Sequence, residues 1–320
     1  MKRRTKYLIG FVLLSCAVFI VLNVLAYNHA RSMLYFSTEV ARTARPEELT
    51  LAKKIEVLFS GVTIPRPVAS KTPKSYHLDF QEGLIDCVNG IQLGYWHIPC
   101  EGSSNVVLMF HSYGGEKSSL LREALAFHAL GYSTVLVDFR GSGTSSENYT
   151  TIGYHEAKDV EGALHFVRAS FAYKEHYLFG QSMGGVAILR ALYSENIKPD
   201  GIIIEGVFDE TLHTVEHRFE AMGVPSFPSA QLLMFWSGLQ FGFSPFSHNP
   251  VDYASAVPCS AVFLHGTEDN RARVDEARLV FDTVKTSKKF YEFEGLGHQS
   301  YVELDPQRWK KAVQWLMQSD

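Results

Sequence analysis

At 320 residues, 46% hydrophobic and 20% charged, the chain is long enough to bury one large core. Its net charge of −4 and pI near 6.4 offer no broad basic surface and argue against nucleic acid as a partner. Internal repeats and low-complexity tracts are not found. The four cysteines, Cys16, Cys87, Cys100 and Cys259, follow neither zinc-ligand spacing nor a framework pattern. Lone thiols are expected, with a Cys87–Cys100 bridge left open.

The first segment stands apart from the rest. Residues 1–6 form a basic leader, and Tyr7 to Tyr27 is almost wholly apolar and uncharged. At about 1.5 Å per residue that run spans a bilayer. A cleaved signal peptide is the rival, with small-residue sites after Ala26 or Ala30. The run exceeds the roughly 7–15 residues of a signal h-region, so an uncleaved anchor is expected. Leu13-Leu14-Ser15-Cys16 partly resembles a lipoprotein box, but the apolar stretch continues past Cys16. By the positive-inside rule the leader stays cytoplasmic and the remainder lies across the membrane, in a periplasmic, lumenal or extracellular space.

Residues 28–74 read as a link carrying one amphipathic helix, Pro46 to Phe59, with Leu51, Ile55 and Leu58 on its apolar face and Gly61 as its stop. Packing on the following domain is the expected role; lying on the membrane surface is the competing one. Pro65, Pro67 and Pro73 mark the connection that follows.

From Ser75 to the end the pattern becomes that of one domain. Strands are predicted at 76–80, 91–96, 105–110, 133–138, 176–180, 201–205, 260–264 and 289–293. Helices are predicted at 119–130, 154–171, 184–194, 274–286 and 306–317, with Asp305 capping the last. An initial hairpin around Asn89-Gly90 followed by strand–helix alternation predicts an α/β fold. Its eight-stranded sheet is mostly parallel with helices on both faces. The middle strands are unbroken apolar runs, as strands covered on both sides require.

Chemistry gathers where strands end. Gly180-Gln181-Ser182-Met183-Gly184 joins an apolar strand to a helix, the Gly-x-Ser-x-Gly nucleophile elbow in the context that gives it meaning. Its glycines suit a turn too tight for a Cβ, and the turn aims the Met183 amide at whatever Ser182 attacks. His111-Ser112-Tyr113-Gly114-Gly115 is a glycine-rich loop whose Tyr113 amide is the second candidate oxyanion donor. His265-Gly266-Thr267-Glu268-Asp269 places a carboxylate after a later strand, and Gly295-Leu296-Gly297-His298 places a histidine after the last. Serine, acid and histidine in that order, each at the carboxyl end of a strand, form a nucleophile–acid–base set. Glu268 and Asp209 compete with Asp269 for the acid. No metal cluster or cofactor motif is evident, so neither is implied.

These motifs, with Asp138-Phe139-Arg140-Gly141-Ser142-Gly143, resemble the α/β-hydrolase superfamily over residues 75–320. The nearest resemblance is to its lid-bearing monoacylglycerol-lipase-like and serine-aminopeptidase-like branch. The resemblance implies Ser182 as nucleophile, Asp269 as acid, His298 as base and the Tyr113 and Met183 amides as oxyanion hole. Ser112 departs from the glycine that usually follows the histidine in that loop. Asp138 and Arg140 are expected to act as a structural turn pair. Residues 210–257 resemble the lid, whose Met234, Phe235, Trp236, Phe241 and Phe243 are candidates for an apolar substrate pocket. The reaction implied is hydrolysis of carboxylic esters of small apolar acyl groups through an acyl-enzyme. Alternatives are a peptidase or amidase using Glu216 or Glu220 to hold an amine, an acyltransferase, and a non-catalytic binding protein.

Overall fold

The structure, a computed structural model, describes residues 3–39, 41–44 and 48–317. Met1 and Lys2 of the basic leader, and Pro46 and Glu47 at the expected start of the amphipathic helix, lie outside the described residues.

Eight strands form one mixed sheet: β1 (Gln81–Asp86), β2 (Gln92–Ile98), β3 (Asn105–Phe110), β4 (Ser133–Val137), β5 (Glu175–Gln181), β6 (Gly201–Glu205), β7 (Ser260–Gly266) and β8 (Lys288–Phe293). Their spatial order is β1-β2-β4-β3-β5-β6-β7-β8. The β1–β2 and β2–β4 pairs are antiparallel and every other pair is parallel. The first strand differs from expectation. Residues 73–76 form a 3-10 turn closed by His77 in the left-handed region (φ 59°), so pairing begins five residues later than the apolar alternation suggested. The Asn89-Gly90 hairpin forms as its residues dictate, both in the left-handed region.

Helices α3 (Leu121–Ala129), α4 (Glu156–Ser170), α5 (Met183–Ser194), α9 (Val274–Thr283) and α11 (Pro306–Met317) cover the sheet. On β3, Val106, Leu108 and Phe110 join the core beneath α4, α5 and α9, while Val107 and Met109 join the core beneath α3 and α11. Both faces of the pleat are therefore dry, which explains the unbroken apolar runs. The Asp305 carboxylate accepts the Arg308 amide (3.0 Å) and caps α11. Cys16, Cys87, Cys100 and Cys259 are free thiols, and burial pushes Cys87 up to about 12.

Between β6 and β7 lie α6 (Thr211–Met222), α7 (Ser229–Phe241) and the short α8 (Pro250–Tyr253); α10 (Tyr301–Leu304) is equally short. The N-terminal part is α1 (Arg3–Leu34) and α2 (Leu51–Ser60). Thr50 caps α2 through the Lys53 amide (3.4 Å), so the described helix starts later than the sequence suggested, and Gly61 ends it. A third core unites these elements: Ala30, Met33, Leu34 and Phe36 pack with Val57, Phe219, Leu233 and Met234. Helix α1 thus runs beyond its uncharged stretch and ends inside the domain.

Candidate active site

The elbow has the backbone its sequence demands. Ser182 sits between β5 and α5 at φ 48°, ψ −113°, in the positive-φ region that a residue with a Cβ rarely adopts. A Cβ on Gly180 would lie 2.5 Å from the Gly184 backbone, and one on Gly184 would lie 2.2 Å from the Phe110 carbonyl. Both glycines are therefore steric necessities of the turn. The Ser182 amide donates to the Glu205 carbonyl (2.7 Å), tying the elbow to the end of β6.

Asp269 and His298 meet across two loops. His298 Nδ1 lies 2.6 Å from Asp269 Oδ2, while Asp269 Oδ1 accepts the amides of Arg271 (2.9 Å) and Ala272 (3.1 Å). Burial opposes ionisation of Asp269, but the His298 hydrogen bond and charge and the Ala272 amide outweigh it, holding the carboxyl below its usual range. The His298 ring rests against Gly206, where an added Cβ would lie 3.2 Å from Cε1. Gly206 follows the residue that accepts the Ser182 amide, so serine and histidine both reach the carboxyl end of β6.

Met183 opens α5, where amides lack an intrahelical acceptor, and so remains placed as a donor beside Ser182. Tyr113 follows β3 in a loop fixed by His111, whose Nδ1 bonds the Ser112 carbonyl (2.8 Å) and whose Nε2 accepts the Phe139 amide (3.1 Å). The Ser112 carbonyl also accepts the Gly115 amide (3.0 Å). An unexpected contact ties this loop to α1: the Tyr113 hydroxyl donates to the Met33 carbonyl.

Of the two competing acids, Asp209 lies elsewhere. Asp209 is bonded by His213 Nδ1 at 3.0 Å from each oxygen and by the Glu210 amide (2.6 Å). Asp209, His213 and Glu276 each bring a ligand atom within 4.8 Å of the others, a grouping no sequence spacing announced. Glu276 also accepts the Arg273 amide (3.0 Å) and pairs with His217 (3.2 Å), so the cluster clamps α6 to α9. Asp138 and Arg140 do not pair with each other as expected. Asp138 holds Lys117, and Arg140 holds Asp159 at 2.6 Å, because each points to a different neighbouring element.

The lid side chains divide. Met234 is buried in the third core, and Trp236 meets the Tyr27 ring edge-on at 5.4 Å. Phe241 packs on Tyr35 and Tyr149, Phe243 packs on Tyr154, and Phe235 is exposed. Their contacts are with the N-terminal segment and the loop before α4. Sequence reasoning also missed a buried carboxyl pair under the elbow. The Gln181 amide donates to Glu123 and Glu205 (3.0 Å each), Ser300 to Glu123 (2.5 Å) and Trp309 to Glu205 (2.7 Å). The Leu120–Glu123–Phe127 spacing, which sets Glu123 in the apolar stripe of its helix, was the available signal.

An esterase from Pyrococcus furiosus superposes on this architecture with a TM-score of 0.68 at 20% identity, covering 80% of this chain and 96% of that one. The chain has the α/β-hydrolase fold. An esterase from Exiguobacterium antarcticum shares the α/β-hydrolase fold with a TM-score of 0.56 at 17% identity, over 74% of this chain and 100% of that one. The serine aminopeptidase family model matches residues 102–218, from β3 to the middle of α6. An uncharacterized Bacillus subtilis protein, YqkD, is 21% identical over 72% of this chain and 77% of its own length.

Proposed function

We propose that this protein is a membrane-anchored serine hydrolase that cleaves carboxylic esters of apolar acyl groups. The observation that carries the reading is a histidine bonded at 2.6 Å to a buried carboxylate, its ring against Gly206, the residue after the Glu205 whose carbonyl accepts the amide of a serine held at positive φ on the elbow. In this mechanism His298 takes the Ser182 proton as Oγ attacks the ester carbonyl, and the Met183 and Tyr113 amides receive the oxyanion. Asp269 holds the imidazole in orientation and stabilises its cation; His298 then protonates the leaving alcohol and activates water against the acyl-enzyme. The anchor lies in α1, whose residues Arg4–Leu34 are long and apolar enough to cross a membrane. Its Ala30 is fully buried in the third core, so signal cleavage there would cut through packed structure.

A second reading, cleavage of peptide or aminoacyl amides, draws on the serine aminopeptidase description of the family model. Against it, the two acids considered for holding an amine are engaged: Glu220 with Arg273 (2.8 Å) and Glu216 with Gln231 (3.3 Å). The test is a fluorophosphonate probe followed by paired ester and aminoacyl-amide panels. Labelling of the full chain and none of Ser182→Ala is expected. Ester turnover should rise with acyl length, since each buried methylene contributes about 0.8 kcal/mol. Undiminished ester hydrolysis by purified Ser182→Ala would sink the assignment, and faster amide cleavage would select the second reading.

A further inference from the structure

We infer that the lid side of the domain is seated on the lipid bilayer that holds α1, with α2 and the start of α7 resting at its hydrocarbon boundary. The inference rests on the reading of α1 as an anchor, but the observations that carry it lie in the domain.

The first is depth. The Trp236 indole donates to Asn23 Oδ1 (3.1 Å), its ring meets Tyr27 edge-on, and the Gln240 amide donates to the Tyr27 carbonyl (3.1 Å). From Tyr7 to Tyr27 a helix rises about 30 Å, the thickness of a bilayer's hydrocarbon core. Tyr27 and Trp236 therefore lie at the level where the apolar slab ends, the depth that tyrosine and tryptophan favour. Helix α7 joins the anchor at the bilayer surface, with no length of free chain to lift the lid into water.

The second is what the neighbouring elements show at that level. Phe235 and Leu239, one turn apart on α7, are 52% and 65% exposed, and Phe227 just before α7 is 75% exposed. On α2, Leu51, Ile55 and Phe59 repeat every fourth residue and are 75%, 50% and 64% exposed. The opposite side of α2 is committed: Val57 is in the third core, Lys54 Nζ reaches the Ala221 carbonyl (2.9 Å), and the following Val62 amide bonds Ser32 (3.0 Å). Single exposed apolar side chains are ordinary on protein surfaces. A repeating stripe beside a second apolar face, both packed on the emerging anchor, has the form of an interfacial helix. Its occupant is the acyl region of the same membrane.

The test uses the full chain in nanodiscs whose phospholipid acyl chains carry bromine, a contact quencher of tryptophan. Phe227→Trp, Phe59→Trp and a control, Tyr193→Trp, are compared with the parent. Tyr193 is 55% exposed and lies at the end of α5 away from the elbow. The fluorescence added at 227 and 59 should fall by at least half relative to unbrominated discs, with no loss at 193. A chain that floats with the discs but keeps full fluorescence at 227 and 59 overturns the docking and leaves the anchor standing. Failure to float overturns the anchor, and the docking with it. Unquenched signal together with two copies per disc would assign the patch to a contact between copies.

Discussion

His298 is aimed from outside its own loop. Its loop is flexed by Gly295 and Gly297, so the 2.6 Å bond to Asp269 and the contact with Gly206 set the ring. Asp269 can do this because two backbone amides occupy its other oxygen and burial keeps water away. Asp269→Asn should therefore lower kcat on the order of 10⁴-fold, the scale of losing the tautomer-fixing carboxylate. Asp209→Asn, which disturbs only the α6–α9 clamp, should leave most turnover. Steady-state kinetics on one ester checks both, and the reverse ranking would move the acid to the end of β6. The order of serine, acid and histidine was legible because glycines punctuate each strand end. The residues alone left Asp269 and Asp209 open, since both follow apolar strands, and the resemblance favoured Asp269; in the fold it is Asp269 that bonds His298. Lid side chains were least legible of all, because an aromatic that packs and one that lines a pocket look alike in sequence.

Several elements converge on the Glu123–Glu205 pair: α3, β6, the elbow through Gln181, the α10 entry through Ser300 and α11 through Trp309. Burial, then the charge of Glu123, pushes Glu205 up to about 8, and burial likewise raises Glu123. Glu303, Asp269 and Tyr301 are the nearby titratable groups that add to or face this field. The folded state then holds protons that the unfolded chain releases near pH 4.3, so stability falls as pH rises from there to about 8. Glu123 Oε2 makes no hydrogen bond among the described residues, so exchanging it for an amide nitrogen removes the charge without breaking a bond. Glu123→Gln should flatten the fall in Tm between pH 5 and pH 9, a gain of roughly 5 °C at the alkaline end. Melting curves across that range decide it, and an unchanged slope would show that Glu123 adds nothing to the fall. At this scale the sheet and its covering helices were readable from periodicity, apart from β1. There, alternation at residues 76–80 reflected three side chains, Tyr76, Leu78 and Phe80, packing on the core from the end of a turn and the segment after it.

Taken whole, the molecule does not divide where its sequence does. The uncharged run ends at Tyr27, yet Ala30, Met33, Leu34 and Phe36 are buried among lid and α2 side chains, and Met33 holds Tyr113. The turns after Tyr27 mix Asn28, His29, Arg31 and Ser32 with Ala30, Met33 and Leu34, and such a mixture carries no mark in sequence that its apolar members are buried against the lid. The consequence can be measured by truncation. A fragment starting at Asn28 loses the Asn23 and Tyr27 contacts of Trp236 but keeps the four buried residues, and it should fold with a lowered Tm. A fragment starting at Glu39 loses all four. Burying side chains of this size contributes about 1.5–3 kcal/mol each for the three larger ones, a sum on the order of a whole domain's stability. The shorter fragment should therefore aggregate or melt near room temperature, and any folded portion should lose ester turnover because Tyr113 has lost its tether. Size-exclusion profiles, melting curves and turnover of the two fragments in detergent, beside the full chain, provide the comparison. Equal stability and activity from Glu39 onward would show that the end of α1 merely rests on the lid and plays no part in holding the site.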